Sequence, residues 1–239
     1  LNQFFKDTYE LEFTVHCPEL FANDHILDLC SLDESYRARS IEEVQRTIQV
    51  ALELKKYFKK TECPFIVVNV GGHSQNSPLP TSERRRFYDL ALESLSRLDQ
   101  EGVELIPQTM PPFPWHFGGQ RFHNLFMDAT EIVDFCQKNN YRVCLDISHS
   151  KLACNHHKWS FKEFIKTVAP HSALFHIADA SGVDGEGLQI GEGDVDFALL
   201  GKQLRTWAPN TGFVPEIWQG HKNDGEGFWV ALDCLEKWF

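Results

Sequence analysis

The sequence is poor in several things, and each shortage excludes a class of protein. No apolar run approaches the ~20 residues needed to cross a bilayer. The opening Leu-Asn-Gln-Phe-Phe-Lys-Asp has neither a signal-peptide pattern nor an initiator Met. The seven cysteines (17, 30, 63, 136, 144, 154 and 234) form no C-x-x-C pair and are odd in number, which fits free thiols in a reducing, cytoplasmic setting better than a disulfide framework. Basic residues are outnumbered, 23 against 34 acidic ones, for a formal charge of −11. Such a chain repels phosphate backbones and anionic lipid, so neither nucleic acid nor a membrane is an expected partner. No Walker motif, dinucleotide fingerprint or G-x-S-x-G elbow occurs.

What is present is a core. Of 239 residues, 42% are hydrophobic and 13% aromatic, with nineteen Phe and six Trp, which rules out a disordered chain. Short apolar runs alternate with helical patterns. The strand candidates are Leu11–Cys17, Phe65–Gly71, Val103–Gln108, Val143–Ser148, Ala173–Asp179 and Phe213–Trp218. Their near-continuous apolar character suits parallel strands covered on both faces. Capping boxes at Ser40–Glu43 and Ser160–Glu163 predict two helix starts, and further helices are expected near 82–100, 125–138, 196–207 and from 226 onward. The alternation predicts an α/β fold read as one domain over 1–239. Pro107–Gly119 reads as a long βα loop.

Each strand candidate begins apolar and carries a polar group near its C-terminal end: His16, Asn69, Gln108, Asp146, His176 and Glu216. In a barrel of parallel strands those ends converge on one face, where active sites are built. Asp146, His176 and Glu216 make a donor set for a divalent cation, two carboxylates supplying charge and an imidazole supplying nitrogen. Gln108 adds a carbonyl oxygen. The mixed oxygen and nitrogen set suits Mn²⁺, Mg²⁺, Co²⁺ or Zn²⁺ alike. His149, three residues after Asp146, is placed to hold a substrate oxygen.

The plain alternatives are helix caps and loop hydrogen bonds. His156-His157 reads as an exposed loop, Arg84-Arg85-Arg86 as a solvated helix face, and Gly71-Gly72 as a turn. Phe113, Trp115 and Phe117 read either as a surface on which a sugar stacks or as loop packing.

The segments Val143-Cys-Leu-Asp-Ile-Ser-His149, Phe175-His-Ile-Ala-Asp179, Gln189-Ile-Gly-Glu-Gly-Asp194 and Val214-Pro-Glu-Ile217 resemble, in order, the signatures of the xylose isomerase-like TIM barrels. That superfamily spans sugar phosphate isomerases and epimerases, dehydratases and the AP endonuclease 2-type enzymes. The resemblance implies a (β/α)₈ barrel, with Gln108, Asp146, His176 and Glu216 at the metal position. It implies Glu216 and His149 as catalytic residues, and His149, His16, Trp115 and Asp179 as substrate-binding residues.

Gln108 departs from the epimerase pattern of Glu, Asp, His and Glu. An amide oxygen can coordinate a metal but cannot serve as a general base. Two-base epimerisation is thereby disfavoured, and one-base isomerisation or dehydration stands ahead of it. The endonuclease IV branch fits poorly. His16 matches its His-x-Pro, yet Asp184–Gln189 lacks the expected His, and Asn69 stands at another His position.

The expectation is a metal-dependent sugar or sugar phosphate isomerase/epimerase-like enzyme. Its rival is a non-catalytic sugar-binding or regulatory barrel domain of a larger carbohydrate-biosynthesis protein. Either a homo-oligomer or fused domains fit. A (β/α)₈ barrel takes ~250 residues and eight strands. Six strand candidates and a start without Met therefore suggest that the first strands lie upstream of Leu1.

Overall fold

A computed structural model describes residues 4–113 and 121–239. Their contacts cluster in two units. The first runs up to Gly72 and includes Leu79–Pro107, and the second comprises His73–Pro78 and Gln108–Phe239.

In the first unit β1 (Val15–His16), β4 (Phe65–Val68) and β5 (Glu104–Pro107) form a parallel sheet with β4 in the centre. Ile66, Val67 and Val68 are fully buried, as the unbroken apolar run predicts. A two-stranded hairpin, β2 (Leu20–Phe21) with β3 (His25–Ile26), was not expected from the sequence. Helix α1 (Glu34–Leu54) starts six residues before the Ser40 capping box. Asp33 caps it, accepting the Ser35 and Tyr36 N–H groups. Ser40 is instead a buried mid-helix residue whose hydroxyl meets His25 Nε2 and the Asp28 N–H. The S-x-x-E spacing was present, but an earlier Asp took the capping role.

Helix α2 (Thr81–Ser96) leaves Arg85 and Arg86 exposed, as expected. Gly71 and Gly72 both have positive φ and wrap the Asp28 side chain. A Cβ on Gly71 would lie 2.3 Å from Asp28 Oδ1, and the Gly72 N–H donates to that oxygen at 2.9 Å. The turn therefore cradles the chain's own carboxylate.

In the second unit β6 (Val143–Asp146), β7 (Ser172–Ile177) and β10 (Gly212–Pro215) form a parallel sheet with β7 central and wholly buried. Helices α3 (Ala129–Asn139), α5 (Phe161–Val168) and α6 (Phe197–Trp207) fall where the periodicity predicts, capped by Asp128, Ser160 and Asp196. Helix α7 covers Lys222–Leu235.

Helix α4 (Ile147–His157) corrects the sequence reading twice. The expected strand Val143–Ser148 stops at Asp146, because that carboxylate caps the helix at once through the His149 N–H at 2.8 Å. His156-His157 is the last turn of α4, not an exposed loop. His156 packs against Phe113, and His157 stacks on Trp159 at 4.2 Å. Phe113 also packs on Phe122, so it serves the loop, whereas Trp115 and Phe117 lie outside the described residues. A second unexpected hairpin, β8 (Asp179–Ser181) with β9 (Gly185–Leu188), follows β7. Among the described residues, no helix is long and apolar enough to cross a membrane.

Candidate active site

The register of the second sheet brings the site together. In a parallel pair, residues in register point to the same face, and Asp146 is paired with His176. Val214 is also in register with His176, and Glu216 follows it by two, its N–H bonded to Ile177 O at 3.0 Å. Gln108 enters by a parallel bridge to Cys144, two residues before Asp146. Thr109 fixes this junction. Its hydroxyl accepts the Asp146 N–H at 2.9 Å and meets the Ser150 hydroxyl at 3.0 Å.

His176 Nδ1 lies 2.7 Å from Glu216 Oε2 and 3.8 Å from Asp146 Oδ2. The Gln108 amide donates to Asp146 Oδ2 at 2.9 Å, with the same nitrogen 3.2 Å from His176 Nδ1. Gln108, Asp146 and Glu216 therefore each lie within 3.8 Å of His176 Nδ1. Two ligands at right angles on an ion ~2.1 Å away stand ~3 Å apart, so these spacings fit a divalent cation. The donor set fits too. A half-turn of the Gln108 amide about its last bond exchanges nitrogen for oxygen and makes a fourth donor. Exposure separates the roles, since the Asp146 and His176 side chains are 3% and 6% exposed while Glu216 is 45% exposed.

The electrostatics describe a crowded anionic site. Burial pushes the Asp146 carboxyl up to about 7, a rise that His149 opposes and the neighbouring Glu216 reinforces. Burial works against the charge on His176, but Cys144 and Glu216 outweigh it and hold the imidazole well above its ordinary value. Burial likewise opposes charge on His149, where the carboxylates of Asp146 and Glu186 prevail and raise it.

His149 sits in the first turn of α4. Its Nδ1 is 2.9 Å from Thr109 O, and its Nε2 is 3.0 Å from Glu186 Oε1 on β9. Glu186, Thr109 and Ser148 were missed from sequence. Glu186 was hidden in a Gly-rich stretch that gives no strand signal, and Thr109 stood beside a residue already singled out.

Asp179 is fully buried and serves the backbone. Its Oδ1 accepts the Ala180 and Val195 N–H groups, and its Oδ2 accepts those of Gly191 and Gly193. The Gly-x-Gly between them has a steric cause, because a Cβ on Gly193 would lie 2.4 Å from Ala180 O. Three of the four hydrogen bonds hold the loop after β9 and the fourth closes on the neighbouring Ala180 of β8, so the structure gives the carboxylate to the chain itself. His16 ends β1 in the first unit, exposed, with Nδ1 2.8 Å from Cys17 O.

Parallel strands with intervening helices, and polar side chains gathered at strand ends, define an α/β protein with a site at the carboxyl ends of its strands. The chain belongs to the xylose isomerase-like TIM barrel family, whose profile matches residues 3–238. The uncharacterized protein MJ1311 of Methanocaldococcus jannaschii is 26% identical over 204 residues, covering 84% of this chain and 62% of that protein. The chain thus spans about three-fifths of that relative's length. Among solved structures, a D-tagatose 3-epimerase-like protein matches with a TM-score of 0.68 at 20% identity, over 96% of this chain and 80% of that one. An L-ribulose 3-epimerase matches with a TM-score of 0.63 at 19% identity, over 88% and 72%. These likenesses bear out the family and fold expected from the strand-end motifs.

Proposed function

We propose that the chain is a divalent-metal-dependent isomerase/epimerase-like enzyme for a small sugar, moving a proton beside a carbonyl with Glu216 as the base. The observation that carries this reading is the meeting of Asp146, His176 and Glu216 at one point, with only Glu216 open to solvent. The sugar epimerases among the structural neighbours support the substrate class.

Asp146, His176, Glu216 and the Gln108 amide oxygen would hold the ion. When bound, a divalent cation polarises a substrate carbonyl and makes the adjacent C–H more acidic. Glu216 would take that proton and deliver it, on the same face, to the neighbouring carbon that had carried the carbonyl, while the hydroxyl proton passes to the former carbonyl oxygen, so that carbonyl and hydroxyl exchange places. Gln108 has no basic atom to offer, so transfer between opposed faces by two carboxylates is disfavoured.

The test is exchange of solvent deuterium into a panel of aldoses, ketoses and their phosphates with Mn²⁺ present. Label should enter next to the carbonyl of at least one sugar, and Glu216→Gln should slow it by ~10²–10⁴-fold. No label in any sugar, or an unaffected Glu216→Gln variant, overturns the reading.

A further inference from the structure

The resemblance assigns His149 to the substrate, but its hydrogen bonds leave it nothing to offer. Thr109 O is a carbonyl and can only accept, so His149 Nδ1 donates to it. Nε2 faces Glu186 Oε1 at 3.0 Å, and whichever partner carries the shared proton, that nitrogen is committed. Both ring nitrogens are thus spent on the protein.

Glu186 is differently placed. One carboxylate oxygen is anchored by His149, and the other has no partner among the described residues. The side chain is 21% exposed. Its strand is pinned, since the Gly187 N–H donates to Ser148 Oγ at 3.0 Å and Gly187 O accepts the Trp218 N–H at 2.8 Å. Trp218, two residues beyond Glu216, is 56% exposed. A carboxylate fixed by His149 and partly open to solvent supplies an acceptor of the kind that a sugar hydroxyl needs.

We propose that Glu186, anchored by His149, is the residue that grips the sugar at this site, its second carboxylate oxygen accepting a hydroxyl hydrogen bond. His149 is then a positioning residue. This inference rests on the sugar-enzyme reading above.

The experiment measures binding calorimetrically, and turnover kinetically, for D-fructose, D-tagatose and L-ribulose with Mn²⁺, using wild type, Glu186→Ala, Glu186→Gln and His149→Ala. Loss of a charged hydrogen bond should raise Kd and KM of Glu186→Ala by about 10- to 100-fold, with a smaller change in kcat. His149→Ala should weaken binding less than Glu186→Ala. Glu186→Gln, which keeps the side-chain volume and one oxygen, should recover part of the affinity. It also carries the test if the alanine variant fails to fold.

Wild-type binding with Kd and KM unchanged in Glu186→Ala or Glu186→Gln overturns this inference alone. A wild type that neither binds nor turns over any of the three sugars overturns the functional reading and this inference together.

Discussion

Asp146 and Asp179 are both buried aspartates just past apolar runs in the sequence, and they serve opposite purposes. Both oxygens of Asp179 are consumed by backbone N–H groups, whereas Asp146 gives one oxygen to a helix and turns the other to Gln108 and His176. Sequence shows where an acid stands on a strand, because the apolar run before it marks the end. It does not show which hydrogen bonds the folded chain will claim, such as the four N–H groups on Asp179 or the Thr109 carbonyl and Glu186 on His149. Asp179→Ala should be severe, since each buried amide left unpaired costs ~1–3 kcal/mol. Urea unfolding should show a loss of at least ~3 kcal/mol. A loss below about 1 kcal/mol would mean that water replaces the carboxylate there.

At the level of elements, the helices with local caps were the most legible. Ser160 and Asp196 start helices where polar caps meet apolar periodicity, whereas the helix expected from 125 begins at Ala129, after the Asp128 cap. Helix α4 was missed because it has no loop before it. Strand and helix share Asp146, and Ile147 and Ser148 read equally well as strand. Both hairpins were missed for the opposite reason, since strands of two to four residues are too short to show a period. Helix α4 ends on Lys158 at φ 61°, a left-handed position that costs a side chain ~1–2 kcal/mol. Lys158 is exposed, so Lys158→Gly should relieve this strain, partly offset by glycine's greater freedom in the unfolded chain. The expected net gain is ~0.5 kcal/mol, read as a rise of about 1–2 °C in melting temperature. An unchanged or lower melting temperature would show that the αL geometry is not costly there.

For the molecule as a whole, the family was legible because its motifs sit at strand ends in chain order, and within the second unit the ends of β6, β7 and β10 bring Asp146, His176 and Glu216 together. A ligand that binds only the folded state raises stability by mass action. Mn²⁺ at 100 times its dissociation constant should therefore add ~2.7 kcal/mol, or about 5–10 °C in melting temperature. Gln108→Glu should sharpen the response in both directions. Without metal, a second carboxylate replaces an amide that now donates to Asp146 at 2.9 Å, so the melting temperature should fall. With Mn²⁺ the added charge should enlarge the upward shift. A wild type that Mn²⁺ does not stabilise, in a titration that reaches saturating millimolar metal, would remove the metal from the proposed mechanism.

Asp146 ends a strand, starts a helix and faces the site within a single residue. A longer acid would move the carboxylate away from the His149 N–H it caps, and an amide would weaken both the cap and the charge. Gln108 joins the cluster through its amide, which donates to Asp146 Oδ2 and lies beside His176 Nδ1, while its backbone bridge to Cys144 would survive exchange of the side chain. Residue 146 therefore ties chemistry to the backbone of a strand and a helix, whereas residue 108 ties it only to a neighbouring side chain that a metal can compensate. New reactions on this barrel are cheapest to reach through residue 108, and dearest through residue 146.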